Sequence, residues 1–126
     1  PGSSAYYQGS IVSYSYSLKK KLLNVSAQIL EQEGAVSEAT VIEMVTGGLV
    51  QLKTDIVVSI SGIAGPSGGT PDKPVGTIWL AIGNSVTTKS SKLLLGKNRE
   101  KNIEYTAYFA LNMIRKFVLE HYNSNP

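Results

Sequence analysis

Cysteine is absent from the 126 residues, and histidine occurs once, at His121. The first absence excludes disulfides, thiolate metal centres and a cysteine nucleophile. The second removes the commonest general base of hydrolases. His121 lies near the C-terminal end, so a triad built on imidazole is not expected. No apolar run approaches the roughly 18 residues of a membrane-spanning helix. The opening Pro1-Gly2-Ser3-Ser4 has neither the basic nor the apolar stretch of a secretory signal. Charge is sparse as well. Only 17% of residues are charged, and the formal net charge is +3. That balance favours an anionic ligand such as a phosphate but falls short of a nucleic-acid footprint. What is left is a chain with 42% hydrophobic residues, enough for one domain with one core. Without bridges, a cytoplasmic location is the simplest reading.

The hydrophobic period changes along the chain as in α/β proteins. Gly9–Ser15 is rich in β-branched and aromatic side chains and predicts a strand. Ser17–Leu23 predicts a helix capped by Ser17, and a second short helix over Ser26–Glu33 should stop at Gly34. Ser37 caps a longer helix whose stripe is Val41, Met44, Val45, Leu49 and Leu52. Gly47 and Gly48 lie inside that helix at a cost of about 1 kcal/mol each, which points to a close helix–sheet contact. Asp55–Ser61 reads as a mostly buried strand. Gly76–Ile82 and Val86–Leu95, joined at Gly83-Asn84-Ser85, predict an antiparallel hairpin. The last helix spans Asn98 to about Tyr122, with Ile103, Thr106, Phe109, Ala110, Met113 and Phe117 on its apolar face. This element order makes a layered α/β domain with a mixed sheet.

Three segments carry candidate chemistry. Ser61–Gly76 follows a buried strand and contains Gly62, Gly65, Gly68, Gly69 and Gly76. Its amides could form a nest for a phosphate or an oxyanion, at the strand end where open α/β sheets bind ligands. Composition alone equally allows a turn-rich connection that binds nothing. In the second segment, Ser4 precedes the expected first strand, Tyr14 lies near its end, and Lys19 starts the next helix. A serine with a lysine base is a histidine-free route to amide hydrolysis. By spacing alone these residues read more readily as a turn serine, a packing tyrosine and a solvated lysine run. The third segment is Gly96–Lys101, where Arg99 could hold an anion at a helix start or could be an exposed charge.

The strings PGSSAYYQGSIVSYSYSLKKKLLNV, GAVSEAT, SGIAGPSGGTPDKPVGTIWLAI and GKNREKN, in this order, resemble the C-terminal domain of the CinA family. The family's stand-alone form is the bacterial nicotinamide mononucleotide deamidase. The resemblance implies a three-layer α/β/α fold with a mixed, mainly parallel sheet that includes one antiparallel hairpin. It also implies hydrolysis of the mononucleotide's carboxamide to the acid and ammonia, with no metal or organic cofactor. By motif position, Ser4 matches the nucleophile, Tyr14 an assisting proton carrier and Lys19 the general base. Arg99 matches the arginine of the family's G-D-R string, and with Gly62, Gly65, Gly68, Gly69 and Thr70 of the glycine-rich loop it makes up the expected substrate-binding set. Asn98 stands where the family's G-D-R string has aspartate. Family members also carry a helix with an S-C-T-G-G motif ahead of PGSS. Residues 1–126 are therefore expected to be one amidohydrolase domain, shortened at its N-terminus. The alternatives are a nucleotide-binding module without turnover and a nucleic-acid-binding factor, for which only scattered lysines speak. The expected partner is a small nucleotide, with a homo-oligomer as the expected assembly and no role for a membrane.

Overall fold

The computed structural model describes residues 1–123. A single 3-10 turn, Ser3–Ala5, precedes helices α1 (Tyr16–Leu23), α2 (Ala27–Gln32) and α3 (Glu38–Leu52). Strands β1 (Val57–Gly62), β2 (Thr77–Gly83) and β3 (Thr88–Leu94) follow, and α4 (Arg99–His121) closes the chain. A short polar side chain starts each α-helix. Ser15 Oγ accepts from the Leu18 amide at 3.1 Å, Ser26 Oγ from Ile29 at 3.2 Å and Ser37 Oγ from Thr40 at 3.2 Å. Asn98 Oδ1 accepts from the Lys101 amide at 2.9 Å. Each such cap contributes about 1 kcal/mol. The first helix thus begins two residues earlier than expected, on Ser15 rather than Ser17.

The sheet has the order β1-β2-β3 and is antiparallel throughout. The predicted hairpin is present, with Thr77 opposite Leu94 and Gly83 opposite Thr88. The expected mainly parallel sheet is not. Parallel pairing of β1 with β2 would need a crossover element between them. The link from Gly62 to Thr77 contains no helix, so the chain simply turns back and pairs Val57 with Gly83 through to Gly62 with Ile78.

The expected strand over Gly9–Ser15 is also absent. β-propensity records how well a side chain packs on a pleated surface, and without a neighbouring edge it forms no ladder. Here Val12 is 81% exposed and Tyr14 is 91% exposed. The segment forms no regular element, and Ile11 packs against the core while Ser13 is buried.

Helices cover both faces of the sheet, as the three-layer expectation required. On one face, Leu23, Val25, Leu30, Val41, Met44, Val45 and Ala81 form a core that Trp79 and Val57 flank. On the other, Ile78, Leu80 and Ala110 pack with Phe109, Met113 and Leu93. The alternation of β2 places Trp79 and Ala81 toward α3, and Ile78 and Leu80 toward α4. The two interior glycines of α3 have different causes. A Cβ on Gly48 would press on the Val57 side chain, the helix–sheet contact that was expected, whereas a Cβ on Gly47 would overlap the Leu23 backbone. Gly47 is therefore required by α1. On α4, Thr106, Ala110 and Phe117 are buried as expected, but Ile103 is 50% exposed and Asn102 takes the core position.

Candidate active site

Three helix starts and the end of β1 meet at one end of the sheet. Tyr16 Oη, at the start of α1, accepts from the Ala35 amide at 3.3 Å just ahead of α3. The segment leaving β1 is joined to α4 by Arg99, whose guanidinium donates to the Gly65 carbonyl at 3.0 Å. Buried Asn102 adds a two-pronged clamp, donating to Ala64 O at 3.0 Å and to Gly96 O at 2.9 Å. An unsatisfied carbonyl at such a site costs about 1–3 kcal/mol, so the fork fixes the loop base against the helix entry. Sequence reading missed Asn102. Its signal was a polar residue one turn before Thr106 on the core stripe of α4.

Within the loop, the ladder continues past β1. The Gly76 amide donates to Ile63 O at 2.7 Å, and the Ile63 amide to Thr77 O at 2.9 Å. The tip is closed by the Thr70 amide on Lys73 O at 2.9 Å and by the Lys73 amide on Thr70 Oγ1 at 3.1 Å. Thr70 Oγ1 thus accepts within the turn, and its O–H donates to no protein group among the described residues. Between these bonds, the amides of Ser67, Gly68 and Gly69 donate to no protein group among the described residues. They border an open concavity of about 480 Å³ lined by residues 66–71, Pro74, Val75 and Lys97.

The glycines of this loop separate by function. A Cβ on Gly69 would lie 2.6 Å from the Val75 amide nitrogen, so the loop's own packing requires glycine there. Gly68 has φ +93°, and the nearest atom to a Cβ there is an Ile63 methyl at 3.7 Å. A Cβ on Gly62 would press against the Ile78 side chain, and Gly65 is buried with its carbonyl taken by Arg99. Of the expected substrate-binding glycines, Gly68 is thus the one whose surface faces open space at the concavity.

The expected catalytic residues are brought together only in part. Lys19 is buried, and its Nζ donates to Ser13 O at 2.6 Å and to Tyr14 O at 3.3 Å. Among the described residues no carboxylate pairs with it. Burial pushes its ammonium below the ordinary lysine value, because the charged form loses hydration. The side chain of Tyr14 points to solvent, and only its carbonyl touches Lys19. Ser4 lies exposed in the 3-10 turn, and its hydroxyl makes no hydrogen bond among the described residues. No helix among the described residues is long and apolar enough to cross a membrane.

The sequence pattern of the CinA C-terminal domain matches residues 1–118. The chain belongs to the CinA family. A CinA-like protein of Amoebophilus asiaticus is 48% identical over 116 residues, covering 92% of this chain and 28% of that relative. A CinA-like protein of Cytophaga hutchinsonii is 46% identical over 119 residues and is likewise covered over 28% of its length. The chain therefore spans little more than a quarter of these curated relatives. Among solved structures, the competence damage-inducible protein A of Klebsiella pneumoniae superposes with a TM-score of 0.89 at 32% identity, over 97% of this chain and 75% of that one. A competence/damage inducible protein of Agrobacterium tumefaciens gives 0.81 at 32% identity, over 83% and 65% of the respective chains. Asn98, where the resemblance led to an expectation of aspartate, caps α4. Asparagine and aspartate serve that role equally well.

Proposed function

We propose that this CinA-family chain carries an amide-hydrolysing centre of the serine–lysine type, with nicotinamide mononucleotide as substrate and the cytoplasm as its location. The observation that carries this reading is the state of Lys19. A lysine can act as a base near neutrality only if its ammonium is destabilised, and Lys19 is buried without a carboxylate partner. As a neutral amine it has two N–H bonds and one lone pair. The carbonyls of Ser13 and Tyr14 accept the two N–H bonds, which leaves the lone pair to take a proton.

In this reading Ser4 Oγ attacks the carboxamide carbon while Lys19 removes its proton. The tetrahedral intermediate collapses to an ester on Ser4, and ammonia departs with the proton that Lys19 took, with Tyr14 assisting only once its phenol, exposed in this structure, turns inward. Water then hydrolyses the ester to release nicotinate mononucleotide and restore the serine. The free amides of Ser67, Gly68 and Gly69 are suited to an anionic group, and Arg99 holds their loop in place. Ser4 and Lys19 share no hydrogen bond in this structure, so the mechanism requires the Ser3–Ala5 turn to close over Lys19 when substrate binds.

That same separation favours a second reading, a nucleotide-binding module without turnover. Calorimetry with the mononucleotide beside an ammonia assay separates the two. For the enzyme, Ser4→Ala and Lys19→Met should each lower kcat by about 10³-fold or more, and the double variant should be little worse than either. Single-turnover mass spectrometry should show an acyl group on Ser4. Near-normal turnover in Ser4→Ala removes that residue as nucleophile, and binding without ammonia release in the unsubstituted chain establishes the second reading.

A further inference from the structure

The glycine loop is held on the α4 side by Asn102 and Arg99, but on its opposite side by a single side chain. Lys73 Nζ donates to the Glu33 carbonyl, a bond between residues 40 positions apart. Glu33 caps the C-terminal end of α2, and the chain then passes through Gly34 into the start of α3. Gly34 has φ +78°, and a Cβ placed on it would lie 3.1 Å from Lys73 Nζ and 3.8 Å from Tyr16 Oη. The ammonium and the phenol therefore flank the same bare Cα. Tyr16 braces that landing point by accepting from the Ala35 amide at 3.3 Å. The backbone of Lys73 meanwhile closes the loop tip, since it accepts from the Thr70 amide at 2.9 Å and donates to Thr70 Oγ1 at 3.1 Å. One residue thus both closes the tip and ties it to the α2–α3 connection.

We propose that Lys73 is a positioning residue: its bond to Glu33 across Gly34, braced by Tyr16, holds the free amides of Ser67, Gly68 and Gly69 where they receive an anionic substrate group. This rests on reading the loop as the substrate-binding element. The geometry supports a tether rather than a direct ligand role. Lys73 is half-buried and directed at the α2–α3 connection, and it is not among the residues that line the concavity. Lysine suits this task because a charge-assisted bond to a carbonyl is stronger than a neutral one, while a long flexible stem lets the tether release and reform.

The test compares Lys73→Met, Lys73→Arg and Tyr16→Phe with the unsubstituted chain, by amide NMR and by calorimetry with nicotinamide mononucleotide. In the unsubstituted chain, Ser67–Thr70 should be as rigid as the sheet, with order parameters near 0.85. Lys73→Met should drop them below about 0.6 and should speed exchange of the Thr70 amide about 3–10-fold, while β2 amides stay unchanged. It should also weaken mononucleotide binding and raise KM about 3–10-fold with kcat nearly unchanged, the range expected for one lost hydrogen bond. Lys73→Arg, which can still donate to Glu33 O, should restore rigidity and most of the affinity. Tyr16→Phe should produce a smaller loss of the same kind. Unchanged order parameters in Lys73→Met overturn the tether, and a rigid loop lost without any change in affinity overturns its positioning role. If the unsubstituted chain binds no mononucleotide yet the loop loosens in Lys73→Met, the tether stands and the substrate reading falls.

Discussion

The glycine loop and the N-terminal arm are both irregular and both carry candidate chemistry, but they are held in opposite ways. The loop, residues 63–76, is fixed by ladder bonds at its base, by Asn102 and Arg99 from α4, and by Lys73 from its far side. The arm ahead of α1 has a turn of its own around Ser3. Beyond that, Ser15 Oγ accepts from the Leu18 amide, the Ser13 and Tyr14 carbonyls accept from Lys19 Nζ, and Ile11 packs against the core. Irregular backbone is therefore not one condition. A loop tied at its base, tip and far side presents its free amides on a braced backbone, whereas the arm is anchored only from Ile11 onward, which leaves the Ser3–Ala5 turn without side-chain hydrogen bonds to the rest of the described chain.

The sharpest way to break the comparison is within the loop. Gly69→Ala should destabilise the chain by about 1–3 kcal/mol, because its Cβ must displace the Val75 backbone. Gly68→Ala should cost only the strain of a positive φ, about 1–2 kcal/mol. It should nevertheless weaken mononucleotide binding, since it adds bulk and strain at a residue that lines the concavity. Urea unfolding of the two variants checks both ranges, and a Gly69→Ala loss below about 0.5 kcal/mol would mean that the loop is not packed as described.

Asn102→Ala attacks the same anchoring from α4. Two carbonyls lose their donor, so a loss of about 1–3 kcal/mol is expected by the same measurement. A loss below about 0.5 kcal/mol would show that the loop base does not depend on the fork.

On the arm side, the test is pH. Burial places the Lys19 value below the unfolded-chain value of about 10.4. Between the two values the unfolded chain holds a proton that the folded chain has lost, so stability rises with pH across that window. The cost of burying the ammonium is full at lower pH and is relieved as pH climbs through the lowered folded value. The stability of the unsubstituted chain relative to Lys19→Met should therefore increase from pH 7 to pH 10 in paired urea titrations. A flat difference would mean that the amine is not desolvated. Turnover, if present, should rise with pH through the same folded value.

The smallest effect is expected for Arg99→Lys. It keeps the charge but loses the planar donor on Gly65 O. KM for the mononucleotide should rise about 2–10-fold with kcat nearly constant, and the corresponding nucleoside should be affected equally, because Arg99 contacts the loop rather than the concavity. A loss confined to the phosphate-bearing substrate would instead place Arg99 on the phosphate.

Much of this architecture could be read from local patterns. Ser26, Ser37 and Asn98 cap helices because a short polar side chain satisfies amides within its own turn, a matter of three residues. The hairpin from Thr77 to Leu94 and the stripe of α3 follow from turn chemistry and period in the same local way. The segment bearing the free amides was likewise legible, since its glycines stand together at the end of β1. Longer-range relations were not legible. Whether Gly9–Ser15 forms a strand depends on a neighbouring edge that no residue within it encodes. Whether β2 returns antiparallel depends on what the connection from Gly62 builds. The roles of Gly47, Asn102 and Lys73 arise from contacts with Leu23, Ala64 and Glu33, each distant in sequence. Tertiary structure alone also set the condition of Lys19. The sequence shows a run of three lysines, and only the packing of α1 against the arm removes one of them from water, which turns an ordinary cation into a candidate base.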